Sequence, residues 1–221
     1  MKTSILIPAY NESGRIGPLV RKIKSMGFSL IVVDDGSTDA TAKEAKASGA
    51  EIIRNERNMG KGAALKAGFE YVLKNGYDTV LIMDGDGQHE PDDIHKFIDM
   101  AAGGENMLII GNRMENADNM PLDRKFTNMF MSFIVSCVCG QKIPDSQCGF
   151  RLLKKELLEN MNVELCRFEV ESEILVKASR AGAKIASVPI KTLYGKEASQ
   201  INPILDGCRF IFFLLRLPFM K

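Results

Sequence analysis

Five strand-like runs in the first 110 residues lack the in–out alternation of a half-exposed strand: Thr3–Pro8, Leu30–Asp34, Glu51–Arg54, Thr79–Met83 and Met107–Ile110. The first four each lead into a stretch with helical character. Ile16–Met26 repeats its apolar residues at helical spacing through Ile16, Leu19, Val20, Ile23 and Met26. Ser37-Thr38-Asp39 starts a helix over Ala40–Ser48 that Gly49 stops, and Gly62–Lys74 is closed by Asn75-Gly76. Pro91-Asp92-Asp93 opens another, with proline and acids in the first turn. Strands without alternation, joined through helices, predict an α/β fold: a mostly parallel sheet covered by helices on both faces. Ligands of such sheets bind beyond the carboxyl ends of the strands. Four acid- or glycine-rich peptides fall there: Ala9–Ser13, Asp34–Asp39, Asp84–Gln88 and Gly111–Arg113.

After about residue 113 the alternation is lost. Lys125–Gly140 is mostly apolar, with a thin polar line at Asn128, Ser132 and Ser136. Pro144–Phe150 reads as a loop, Lys154–Asn160 and Glu169–Ala181 as helices, and Ala183–Ile190 as a strand. The formal charge is +1, with no basic run longer than two residues, so nucleic acid is not an expected partner. Five cysteines without a C-x-x-C pair fit reduced thiols in a cytosolic compartment. The first apolar run is too short for a signal peptide, and no stretch of about 20 uninterrupted apolar residues predicts a spanning helix.

The peptide Val80-Leu-Ile-Met-Asp84-Gly-Asp86-Gly-Gln88-His89-Glu-Pro91 carries the chemistry. In an extended segment residues i and i+2 point the same way, so Asp84 and Asp86 can face one point. Gly85 between them leaves room for a ligand to approach the backbone. Two hard oxygen donors at an open edge suit Mg²⁺ or Mn²⁺, which bind few carboxylates and complete their shells with substrate phosphates. A polar turn after a strand has the same composition, so the pattern gains its meaning from its neighbours. Asn58-Met-Gly60-Lys61-Gly62 offers a flexible loop and a cation but lacks the Walker spacing. No G-x-G-x-x-G follows the first strand.

Taken together, Ile7-Pro8-Ala9-Tyr10-Asn11-Glu12, Val32-Val33-Asp34-Asp35-Gly36-Ser37-Thr38-Asp39 and the acidic peptide resemble the family 2 glycosyltransferases, whose nucleotide-sugar domain has the GT-A fold. More narrowly, Asp84–Pro91, Gly111-Asn-Arg113 and Asp145-Ser-Gln-Cys-Gly149-Phe150-Arg151 resemble the dolichol-phosphate mannose synthase branch, the polyprenyl-phosphate glycosyltransferases. The resemblance implies that residues 1–113 bind the nucleotide sugar and 114–200 form the acceptor half of the same domain. Pro8, Tyr10, Glu12 and Asp35 would hold the nucleoside, uracil or guanine alike. Lys61 would lie near the phosphates. Asp84, Asp86 and Gln88 would hold a divalent ion. Arg113 and Arg124, with Arg151 as a further candidate, would neutralise phosphate in the acceptor half. Lys196 would stand where relatives often carry an arginine, and a lysine there offers a point charge instead of a fork. Asp145, Asp86 and Arg113 are the expected catalytic residues, with Asp145 nearest the acceptor. His89 is expected to pack or orient, and His95 to lie on a helix surface.

The implied reaction is metal-dependent, inverting transfer of a sugar from UDP or GDP to a polyprenyl or dolichyl phosphate at the cytoplasmic membrane face. Two other functions share the pattern: transfer to a hydroxyl of a glycan, glycolipid or protein, which needs a base, and non-catalytic nucleotide-sugar binding. Asp84, Asp86 and Gln88 together count against the last. The segment Asn202–Pro218 begins like a helix and places Ile204, Leu205, Cys208, Ile211, Phe212 and Leu215 on one apolar face. Phe210, Phe213, Leu214 and Leu217 lie outside that face. Arg209 and Arg216 oppose crossing a bilayer, so 201–221 is expected to lie in the headgroup plane as a peripheral anchor. The 125–140 segment is expected to act similarly, with a helix pair or a homo-oligomer contact as the alternative.

Overall fold

The structure, a computed structural model, describes residues 1–117, 120–161 and 170–192. Lys196 and the apolar segment 201–221 lie outside the described residues. Seven strands form one sheet: β1 (Thr3–Ala9), β2 (Ser29–Asp34), β3 (Glu51–Arg54), β4 (Thr79–Ile82), β5 (Asn106–Asn112), β6 (Arg151–Lys154) and β7 (Lys184–Pro189). Their order is β3-β2-β1-β4-β6-β5-β7. Every pairing is parallel except those of β6, which runs antiparallel to β4 and to β5.

The absence of alternation in the sequence has its cause in two cores. On one face Leu6, Val33, Val80 and Ile110 meet α3 (Lys61–Lys74), α5 (Leu122–Cys139), α6 (Lys155–Glu159) and α7 (Val170–Arg180). On the other, Ile5, Ile7, Val32, Leu81 and Ile109 meet α1 (Ile16–Ser25), α2 (Thr41–Ala47) and α4 (Ile94–Ala102). Both faces of the central strands are buried, so both parities there must be apolar. Pro8 sits at the point where the sheet opens. Met83 N–H donates to Leu6 O, so the period of two directs Pro8 toward the same side, beyond the last β1–β4 pair at Leu6 and Ile82. The missing N–H of Pro8 therefore falls where β4 no longer pairs.

One element differs from the sequence expectation. Strand β6 was not expected, because Arg151-Leu-Leu-Lys154 runs straight into the helical Lys155–Glu159 and only four residues pair. It lies between β4 and β5, and Arg151 stands opposite Ile82 and Ile110. Its direction thus brings the start of β6, and the loop before it, to the edge where the parallel strands end.

Helix α5 forms as expected, and the structure fixes which side meets the core. Its polar line faces inward: Asn128 Nδ2 donates to Asp145 Oδ1 at 3.1 Å, Ser146 N–H to Ser132 Oγ at 2.8 Å, and Ile143 N–H to Ser136 Oγ at 2.9 Å. Val135 and Cys139 join the core, but other apolar residues face out, with Phe126, Phe130 and Phe133 each about two-thirds exposed. Leu122 and Met129 are exposed with them. Among the described residues no helix is long and apolar enough to cross a membrane.

Candidate active site

The carboxyl ends of β1, β2, β4 and β5 converge on one edge with the loop that precedes β6. The loops after β1 and β2 are stitched together: Asn11 N–H donates to Ser37 Oγ at 2.9 Å, Thr38 N–H to Asn11 Oδ1 at 3.0 Å and Glu12 N–H to Thr41 Oγ1 at 2.7 Å. Tyr10 is exposed at this rim, while Pro8 and Glu12 are half-buried. Glu12 pairs with Arg15 at 3.1 Å.

Asp35, expected to accept from a base, is turned into the protein instead. Its carboxylate accepts from Asn55 Nδ2 at 2.8 Å, Met59 N–H at 3.0 Å and Gly60 N–H at 2.7 Å. Gly36, at φ +73°, allows this crossing, since a Cβ there would lie 2.4 Å from the Arg57 carbonyl carbon. Asp35 shapes the loop that presents Lys61.

Strand β4 stops at Ile82, and residues 85–86 form a turn. Asp84 and Asp86 therefore do not follow extended alternation, and Gly85 is buried against Ile7, Pro8 O and Glu12 instead of lining open space. The two acids have different surroundings. Asp84 Oδ1 lies 2.5 Å from Lys61 Nζ and Oδ2 lies 3.4 Å from His89 Nε2. Gly149 backs the same carboxylate so closely that a Cβ there would be 2.3 Å from Oδ2. Burial opposes ionisation of Asp84, but the Lys61 ammonium and His89 outweigh it and hold the carboxyl well below the usual range. Lys61 is held above its ordinary range: burial opposes its charge, and Asp84 and Glu171 overcome that.

Burial and the neighbouring Asp84 charge push the Asp86 carboxyl up. Its only hydrogen bond among the described residues comes from Gln88 N–H at 2.9 Å, to Oδ1. A divalent ion fits this pair: one carboxylate is already ionised, and the second is raised by a like charge that a cation would relieve. Among the described residues no group of three or more His, Cys, Asp or Glu side chains is placed to hold a metal. That sparse donor set is what Mg²⁺ and Mn²⁺ accept when substrate phosphates supply the rest.

Arg113 follows β5 and is locked by Asp145. Nε donates to Oδ2 at 2.7 Å, Nη2 to Oδ1 at 2.8 Å, and the Arg113 N–H to Oδ2 at 3.1 Å. Asp145 is fully buried, and its carboxyl lies below the ordinary range: burial raises it, and the Arg113 guanidinium outweighs burial. The acid expected nearest the acceptor is thus the group that aims the arginine. Arg124 is half-buried in the first turn of α5.

Arg151 is corrected outright as a phosphate ligand. It is 1% exposed, and Nε, Nη1 and Nη2 donate to the carbonyls of Cys148, Glu171 and Ser146 at 2.7, 2.5 and 2.6 Å. It fastens the 145–150 loop to α7. Sequence reasoning missed Glu171, whose Oε1 lies 2.6 Å from Lys61 Nζ. The single local signal was an acid in a first helical turn, which is common at helix starts. His89 is buried against Phe150, with ring centroids 5.1 Å apart, as its packing role required. His95 lies on α4, its ring 5.7 Å from that of Phe28.

The profile described as Glycosyl transferase family 2 matches residues 4–161. The chain is 32% identical to the UDP-N-acetylglucosamine–dolichyl-phosphate N-acetylglucosaminyltransferase of Methanococcus voltae, over 98% of this chain and 96% of that protein. It is 29% identical to the polyprenol monophosphomannose synthase of Mycolicibacterium smegmatis, over 86% of this chain and 76% of that one. In fold it is similar to Mycobacterium tuberculosis glucosyl-3-phosphoglycerate synthase, crystallised with Mn²⁺, UDP-glucose and phosphoglyceric acid. There the TM-score is 0.73 at 22% identity, over 98% of this chain and 78% of that one.

Proposed function

The chain belongs to glycosyl transferase family 2, and from that premise we propose that it transfers a sugar, with inversion, from a nucleoside diphosphate to a polyprenyl or dolichyl phosphate. The chain is a glycosyltransferase of GT-A fold; donor, acceptor and metal are the proposal. One observation carries the choice of acceptor. Asp145, the acid placed to serve as a base, is wholly occupied by Arg113 and Asn128. A hydroxyl acceptor needs a proton removed, whereas a lipid phosphate is already anionic. A guanidinium held in place by a buried carboxylate instead offers a positive charge at a fixed position, which suits an anionic phosphate acceptor.

Asp84 and Asp86 would hold the divalent ion, with Gln88 beside them. When bound, the ion supplies Lewis-acid stabilisation of the charge that grows on the leaving diphosphate. Arg113 adds positive charge at a position set before substrate arrives, so no reorganisation is needed as the glycosidic bond breaks. Tyr10, Glu12 and the loops after β1 and β2 form the rim where the nucleoside would rest.

The outward apolar face of α5 supports action at a membrane surface, since six exposed large apolar side chains on one helix exceed ordinary surface composition. A lipid acceptor would reach the edge from that side, because Asn128 of α5 touches Asp145. The cytoplasmic placement belongs to the same proposal.

The test combines the protein, Mn²⁺, a panel of UDP- and GDP-sugars and a short-chain polyprenyl phosphate. A glycosyl phospholipid product is expected, and its identity assigns donor and acceptor together. Asp86→Ala should lower transfer by at least about 10²-fold while the thermal unfolding transition stays cooperative. Full activity in that variant would refute the metal assignment, and exclusive transfer to hydroxyl acceptors would refute the lipid phosphate.

A further inference from the structure

We infer that Lys61 is a resident counter-ion that a divalent cation displaces from Asp84 onto Glu171, so that Glu171 tunes metal affinity without being a ligand. The inference rests on the metal proposal above and adds a residue that it does not use.

The geometry is a bridge. Lys61 Nζ lies 2.5 Å from Asp84 Oδ1 and 2.6 Å from Glu171 Oε1. The ammonium therefore takes an acceptor position on the carboxylate that would hold the ion. Asp84 has little freedom to turn another face outward, because Gly149 backs the group and His89 meets Oδ2 at 3.4 Å. A dication on Asp84 would stand within a few ångström of this ammonium, and the like charges repel, so an arriving ion drives Lys61 off the carboxylate.

A destination is already built. Glu171 Oε2 is buried and has no hydrogen-bond partner among the described residues. The backbone of Glu171 is fixed, its carbonyl accepting from the buried Arg151 Nη1 at 2.5 Å. Beside Lys61 and Glu171 lies a cavity of about 10 Å³, also bordered by Gly149 and Arg151, with room for roughly one water. A lysine on its four-carbon stem can shift its ammonium that far without moving the helix that carries it. The exchange also improves the local charge balance. Before the exchange one ammonium serves two carboxylates. Afterwards the dication serves Asp84 and Asp86, and the ammonium serves Glu171 alone, so no buried carboxylate is left unpaired.

The test is Mn²⁺ affinity of the protein without nucleotide, read from the electron paramagnetic resonance of the free ion. Glu171→Gln removes the destination, so Lys61 stays on Asp84 and Mn²⁺ binds about tenfold more weakly, the scale of a part-buried ion pair. The double variant Lys61→Met with Glu171→Gln removes the competitor without orphaning the Glu171 carboxylate, so Mn²⁺ binds about tenfold more tightly than to the unaltered chain. The same Glu171 change thus accompanies opposite shifts, a pattern that a purely structural role cannot give. In the unaltered protein, Mg²⁺ should also move the ¹³Cε and ¹⁵Nζ resonances of Lys61. Unchanged affinity in the variants, or a double variant no tighter than the unaltered chain, overturns the exchange and leaves the metal proposal standing. Absence of Mn²⁺ binding together with metal-independent transfer overturns both.

Discussion

Replacing Gly149 by alanine tests whether the site depends on where Asp84 is held. A Cβ at 149 would lie 2.3 Å from Asp84 Oδ2 and 2.8 Å from its Cγ and Oδ1. Ordinary contact begins at 3.4 Å, so one partner has to retreat by about 1 Å. Neither retreats freely. Asp84 is short and is held through Lys61 at 2.5 Å, while the peptide of residue 149 follows Cys148, whose carbonyl accepts from Arg151 Nε at 2.7 Å. If the peptide yields, the overpacking costs about 1–3 kcal/mol of stability. If Asp84 yields, the proposed metal ligand is misplaced by about 1 Å, which lowers transfer on the order of 10²-fold. Urea unfolding, Mn²⁺ binding and transfer to a polyprenyl phosphate, measured on one preparation, separate these costs. Gly104→Ala is the control, since a Cβ there meets nothing within 4 Å, and it should stay within about 0.5 kcal/mol. A Gly149→Ala protein with unaltered stability, metal affinity and rate would refute the packing analysis.

Asp145→Asn should lower transfer by about 10²-fold and stability by about 2–4 kcal/mol, because the half-buried Arg113 guanidinium loses its buried anionic partner; kcat and a denaturation curve check both. The Asp86 carboxyl, raised above its ordinary value, has a definite sign in stability. Its contribution is present below the unfolded-state pKa and is lost as pH rises through the folded one. Metal-free Asp86→Asn should therefore melt above the unaltered protein at pH 7, with the gap closing toward pH 4, and a constant gap would contradict it. Mn²⁺ affinity should fall with decreasing pH at a higher pH than an unperturbed aspartate would give. Serine at Phe126, Phe130 and Phe133 together should abolish sedimentation with lipid vesicles and change stability by about 1 kcal/mol or less, since all three rings are exposed. Retained vesicle binding would remove α5 from the membrane proposal, and loss of self-association instead would make its face a contact between copies.

Covalent order alone determined the parallel part of the sheet. Runs such as Leu30–Asp34 are apolar at both parities because the central strands have a core on either face, and that demand is written locally. It also determined the edge where polar peptides gather, since strands of one direction end on one side. Whether Asp84 and Asp86 share an environment was not legible, because strand alternation stops at Ile82 and a turn takes over. The orientation of α5 was half legible: the line of Asn128, Ser132 and Ser136 could be seen, but the side that faced the core depended on Asp145 and Ser146 lying there. The pairings that define the site, Lys61 with Glu171, Arg113 with Asp145 and Gly149 against Asp84, join residues dozens of positions apart. Only the insertion of antiparallel β6 between β4 and β5 decided them. A four-residue strand leaves little local periodicity, and its place is fixed by hydrogen bonds to strands distant in the chain.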